Sequence, residues 1–229
     1  MSIADNVRAV RDAIGEAAIH AGRDPAEIAL VAAAKMNDAE NVRLAIAAGV
    51  DAVGENREAE MTAKNAQGAY TGAPLHFIGH IQSNKINKLV GVCDLIESAG
   101  SRGVIEAIGR RAAALGVVQD ILVEVNIGRE EAKSGIMPEE TEEILELSSH
   151  FGGLRVLGLM AIPPFSADSN EKRRSFEAMY KLFVDMRAKK YDNVFMRCLS
   201  MGMSESYVEA VYSGASMVRI GSAIFGARH

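Results

Sequence analysis

The chain has 229 residues, 48% hydrophobic and 24% charged, with a net charge of −5 at pH 7. That length suits a single domain over residues 1–229 with a sizeable core, and the mild acidity supplies no basic field for a phosphodiester backbone, so nucleic acid is excluded as a partner. No apolar run approaches the roughly 18 residues of a membrane span and the first residues form no signal peptide, so a cytoplasmic protein with no membrane partner is expected; a monomer is the expectation for its assembly, which neither observation bears on.

Residues 2–22 place Ile3, Val7, Val10, Ile14, Ala17 and Ala18 at three-and-four spacing, which predicts an amphipathic helix ending at Gly22, ahead of the first strand. Residues 28–35 are a continuous apolar run closed by Lys35, as expected of a strand buried on both faces in a parallel sheet. Asp38 is placed to cap a second helix that closes at Gly49, and residues 52–54 follow as a strand with Glu55 and Asn56 at its end. A helix over residues 57–67 leads to a third strand at 75–79, then His80 and a short helix, and residues 95–97 form a fourth strand. A helix over 102–115, stopped by Gly116, precedes the fifth strand at 121–125, with Asn126 at its tip.

Pro138 opens the next helix at the first-turn position that proline favours. The sixth strand, 156–160, runs towards Pro163 and Pro164, and a helix over about 170–189 leads to the seventh strand at 194–199, which enters Ser200-Met-Gly-Met-Ser204. A helix over 207–212 and the eighth strand at 215–220 bring the chain to Gly221 and Ser222. Eight strands alternating with helices predict an α/β fold, a single (β/α)8 TIM-type barrel with an extra N-terminal helix. The rival is an open doubly wound sheet, and no GxGxxG follows the first strand to support its dinucleotide-binding form.

In such a barrel the strand ends converge on one rim, which would gather Lys35, Asn56, His80, Asn126, Met160, Ser200 and Arg219. A lysine at a strand's carboxyl end is suited to Schiff-base chemistry with an aldehyde, against the plainer reading of a lysine snorkelling out of a core strand. The glycine- and serine-bearing turns after strands seven and eight are placed where barrels bind phosphate through backbone N–H groups, although Gly202 and Gly221 also suit simple tight turns. Arg219 interrupts an apolar strand, so its guanidinium needs an acceptor, either a carboxylate such as Glu124 or a ligand atom. His76 is expected to pack in its strand, with His80 between lining the pocket and facing solvent. Cys93 and Cys198 lie far apart with no CxxC or histidine cluster, so both read as core residues, and no metal site or disulfide is expected.

Taken together, Ala33-Ala-Lys35, Gly54-Glu-Asn56, His76-Phe-Ile-Gly-His-Ile-Gln-Ser-Asn-Lys85, Lys133-Ser-Gly-Ile136, Gly158-Leu-Met-Ala-Ile-Pro163, Leu199-Ser-Met-Gly-Met-Ser204 and Val218-Arg-Ile-Gly-Ser-Ala-Ile-Phe-Gly-Ala-Arg228 closely resemble the pyridoxal phosphate homeostasis protein family, in order and over nearly the whole chain. The resemblance implies a barrel like that of alanine racemase, with pyridoxal 5′-phosphate (PLP) carried as an aldimine on Lys35. It also implies that Arg219 faces the pyridine nitrogen, that Ser200, Ser204, Gly221 and Ser222 form a phosphate cup, and that Asn56 lies beside the ring. Many relatives have threonine, lysine and proline where this chain has Met36-Asn37-Asp38, which leaves Lys35 in place and puts the next loop's contacts in question.

The role so implied is non-catalytic, with no catalytic residues: the protein holds PLP, keeps its free aldehyde low and supplies apo forms of PLP-dependent enzymes. Two enzyme readings stand beside it, an amino-acid racemase of the alanine racemase type and a Schiff-base aldolase acting on a phosphorylated sugar. Racemisation needs two positioned acid–base groups. In alanine racemase one is a tyrosine of a second, C-terminal domain, and this chain ends soon after its eighth strand, so binding without turnover is expected.

Overall fold

The computed structural model describes residues 2–130, 132–163 and 169–226. Pro164 and Arg228, named above at the sixth strand's end and in the C-terminal motif, lie outside them. Eight parallel strands pair in sequence order and close, with β8 returning to β1: β1 Ala29–Ala33, β2 Ala52–Glu55, β3 Leu75–Phe77, β4 Leu95–Ala99, β5 Gln119–Val125, β6 Leu154–Ala161, β7 Val194–Ser200 and β8 Met217–Ile220. Among the described residues no helix is long and apolar enough to cross a membrane.

The helices outside the barrel are α1 Ile3–His20, α2 Ala39–Ala47, α3 Glu58–Asn65, α4 Arg102–Leu115, α5 Thr141–Ser149, α6 Ser169–Arg187, α7 Tyr207–Tyr212 and α8 Ser222–Phe225. Their ends follow local chemistry. Ser2 and Asp5 cap α1 reciprocally, Asp38 accepts the Asn41 N–H to start α2, and Gly116 at φ 67° closes α4 in the left-handed conformation that glycine adopts without strain. Pro138 does not open α5 directly. It begins a 3-10 turn, Pro138–Glu140, and the α-helix starts one residue later at Thr141.

The strands sort their side chains by parity. Val31, Ala52, Leu95, Leu122, Met160 and Met217 pack against one another from six strands, and this cluster fills the interior. A larger apolar cluster, with Leu30, Ala32, Val53, Leu75 and Ile96, lies between the strands and the helices. Moving two residues along each strand from the inner cluster reaches Gly54 on β2, Glu97 on β4, Glu124 on β5 and Arg219 on β8. The barrel is therefore packed apolar below and lined with charge towards its carboxyl end.

Candidate functional site

Lys35 leaves β1 two residues after its last paired position. Ala34 packs in the outer cluster, so alternation puts Lys35 on the inner side with Val31. Among the described residues its amine makes no hydrogen bond or ion pair, and only its backbone carbonyl is engaged, by Asn37. The other lysines near the rim are committed: Lys85 pairs with Glu58 at 3.3 Å, and Lys133 with Glu130 at 2.8 Å and the Pro163 carbonyl at 3.0 Å.

Asn56 follows the end of β2, and its Oδ1 is buried without a partner among the described residues. An unpaired buried amide oxygen costs free energy unless a ligand group meets it. Gly79 allows Asn56 to sit there, since a Cβ on Gly79 would lie 2.0 Å from the Asn56 carbonyl oxygen.

The turns after β7 and β8 meet beside β1. Gly221 approaches the Ala33 carbonyl so closely that a Cβ would stand 3.2 Å from it. Ser204 Oγ accepts the N–H groups of Gly221 at 3.2 Å and Ala223 at 3.3 Å, and the Ser222 side chain is exposed. These backbone donors, with two hydroxyls and a lysine at the adjoining strand end, form a set that suits a phosphate ester carrying an aldehyde.

Beneath the rim runs a polar chain. Arg219 donates to Ser200 Oγ at 2.5 Å and to the Ala161 carbonyl at 3.0 Å, Ser200 donates to Glu97 Oε2 at 2.6 Å, and Glu97 Oε1 lies 2.7 Å from His76 Nδ1. Burial alone would raise the Glu97 carboxyl, but His76, Arg219 and Ser200 together hold it below its ordinary value. Glu124 shows the opposite balance: burial raises it, and Ser134 and Arg219 only partly offset that. Burial also lowers the Arg219 guanidinium against the pull of both carboxylates, though a guanidinium keeps its proton under any such shift.

The structure thus brings Lys35, Asn56, Ser204, Gly221 and Ser222 to one end of the barrel with Arg219 below. Ser200 stands apart from Ser204, because it is fully buried with its hydroxyl bound to Glu97 and Arg219. The carboxylate paired with Arg219 is Glu97, at 3.8 Å, whereas Glu124 acts on it only through the field. His76 packs in β3 as expected, with a polar partner that its spacing did not announce, and His80 is exposed. Asn126 folds its own loop, bonding Glu130 through both ends of its amide, and Met160 belongs to the inner apolar cluster.

A closed parallel barrel with an amine after its first strand and glycine-bearing turns after its last two defines a protein of the alanine racemase N-terminal domain class, and the model of that domain matches residues 2–229. The chain is 35% identical over 228 residues to the pyridoxal phosphate homeostasis protein of Aquifex aeolicus, covering 100% of this chain and 99% of that one. It is 36% identical over 227 residues to the Pseudomonas aeruginosa protein of the same name, covering 99% and 96%. Among solved structures it is similar to PipY of Synechococcus elongatus with PLP bound, with a TM-score of 0.84 at 28% identity, covering 98% of this chain and 100% of that one. This chain belongs to the pyridoxal phosphate homeostasis protein family.

Proposed function

We propose that this protein binds PLP covalently on Lys35 and serves intracellular PLP homeostasis as a holder of the cofactor, without substantial catalysis of its own. The observation that carries the reading is the Lys35 amine, on the inner side past β1 and without a partner among the described residues, near the turn whose Gly221 and Ala223 N–H groups converge on Ser204. PLP supplies an aldehyde that condenses with a primary amine and releases water.

Each residue then has a defined task. Lys35 provides the amine, and Ser204, Ser222 and the N–H groups from Gly221 onward bind the phosphate dianion. Asn56 offers to the ring an amide oxygen that is unpaired among the described residues, and Ser200 keeps Arg219 in place. Arg219 is a donor that never gives up its proton, so it can hydrogen-bond a pyridine nitrogen but not protonate it, which leaves the ring a weak electron sink. The names of the relatives and the PLP bound in PipY support the cofactor assignment, and delivery to apo-enzymes extends it.

The test is borohydride reduction of the PLP-loaded protein followed by peptide mass spectrometry. A phosphopyridoxyl group on Lys35, absent from Lys35→Ala, is the expected result. Label on Lys85 or Lys133 in its place overturns the assignment.

A further inference from the structure

The peptide groups on either side of Lys35 are both gripped from outside the barrel, and by the same helix. Lys64 on α3 donates from Nζ to the Ala34 carbonyl at 2.8 Å, and one turn earlier Glu60 Oε2 accepts the Met36 N–H at 2.8 Å. The two gripping side chains are an i,i+4 pair 4.0 Å apart. Lys64 is anchored in turn by Glu55, whose Oε1 lies 2.6 Å from Nζ and also accepts the Tyr70 hydroxyl at 3.0 Å.

This arrangement is a poor one for stability alone. Lys64 and Glu55 are both buried, and apolar side chains of similar volume often serve an interior as well as a buried ion pair does. What apolar side chains would lack is a donor for the Ala34 carbonyl, just where the strand has ended. Directly after the second gripped peptide Met36 has φ 63°, a left-handed conformation that a non-glycine residue keeps only when its surroundings impose it.

We propose that Glu60 and Lys64 are positioning residues for Lys35, a clamp on α3 that fixes the direction in which the lysine leaves β1. The inference rests on the reading of Lys35 as the cofactor-bearing amine. It assigns a task to charged groups that touch neither the amine nor any ligand, and it explains why a left-handed methionine follows the lysine.

The test compares Glu60→Ala with Glu60→Gln in the full chain. Glu60 is partly exposed, so both variants are expected to fold, and glutamine keeps an oxygen that can accept the Met36 N–H. Losing that bond in Glu60→Ala is expected to raise the PLP dissociation constant about five- to tenfold. It should also move the pH midpoint of the absorption band of the linked cofactor and speed hydrogen exchange at the Met36 amide. Glu60→Gln should restore all three, which loss of general stability would not predict. Lys64→Met removes the other arm and is read by the same titration; should that chain fail to fold, the Glu60 pair decides alone. If the parent carries the phosphopyridoxyl label on Lys35 and Glu60→Ala matches it in affinity, pH midpoint and Met36 exchange, the clamp is overturned and the lysine assignment stands. A parent without that label overturns both.

Discussion

Glu97 and His76 meet inside the barrel from adjacent strands, Oε1 to Nδ1 at 2.7 Å, with the carboxylate fully buried. Through its other oxygen the same carboxylate holds Ser200, and through Ser200 it reaches Arg219. One glutamate on β4 therefore ties β3, β7 and β8 together beneath the rim, and the guanidinium under the proposed ring site has its place set from three sides.

The two interior carboxylates should give pH dependences of opposite sign. Glu97 is held below its ordinary 4.5, so it contributes stability above that value, which is lost as pH falls through its lower folded value. Glu97→Gln is expected to lose about 3–5 kcal/mol at pH 7, where it leaves Arg219 without its paired charge, and to approach the parent in acid. Glu124 is raised above 4.5, so the parent loses stability as pH climbs through that raised value, and Glu124→Gln should gain on the parent over the same interval. Denaturant unfolding at a series of pH values checks both slopes, and parallel curves would refute the assignment.

Ser204→Ala combined with Ser222→Ala should weaken PLP binding by a few kcal/mol, since hydrogen bonds to charged groups contribute about 1.5–3 kcal/mol each. Pyridoxal, which lacks the phosphate, should lose far less. Titrations with both ligands check this, and an unchanged ratio of affinities would move the phosphate elsewhere.

Gly79→Ala should disturb the site through the backbone. The new Cβ would fall 2.0 Å from the Asn56 carbonyl oxygen, and a clash against backbone leaves no rotamer to relieve it, so a loss of about 3 kcal/mol in stability is expected. Ligand affinity should fall with it as Asn56 is displaced. Thermal unfolding and PLP titration of the variant provide the check.

Turnover separates a holder from a racemase. The protein loaded with PLP should racemise L-alanine no faster than free cofactor within about tenfold, or roughly 1.4 kcal/mol in barrier. Chiral chromatography of the D-isomer reads this directly, and a Lys35-dependent rate of about one per second would place the chain among enzymes.

Some of this arrangement was legible in the residues and some was not. The first strand showed itself because seven apolar residues run up to one lysine, and Arg219 because a cation in an apolar strand demands an acceptor. Glu97 did not, since β4 continues two residues beyond it through Ser98 and Ala99, and only parity with Leu95 reveals that it faces inward. Lys64 was hidden more thoroughly. It lies on a short polar helix and reads as surface, and its contacts to Ala34, 30 positions away in sequence, exist only once α3 has packed on the barrel. Interior strands announce themselves by composition, whereas buried charge is assigned by tertiary contacts that local pattern does not carry.

The first helix is stitched to the last. Asn6 donates to the Ile224 carbonyl at 2.8 Å, and Arg23 donates to the carbonyls of Val211 at 3.1 Å and Ala215 at 2.7 Å. During synthesis the face of α1 that meets α7 and α8 therefore waits uncovered while nearly two hundred further residues are made. The seam between β8 and β1 is completed only when residues 207–225 leave the ribosome, and the turn at Gly221 and Ser222 belongs to that same late segment. So long a wait for one contact is the kind of non-local closure that slows folding and keeps apolar surface open to aggregation. The proposed phosphate-binding turn therefore takes shape only once β8 has paired with β1.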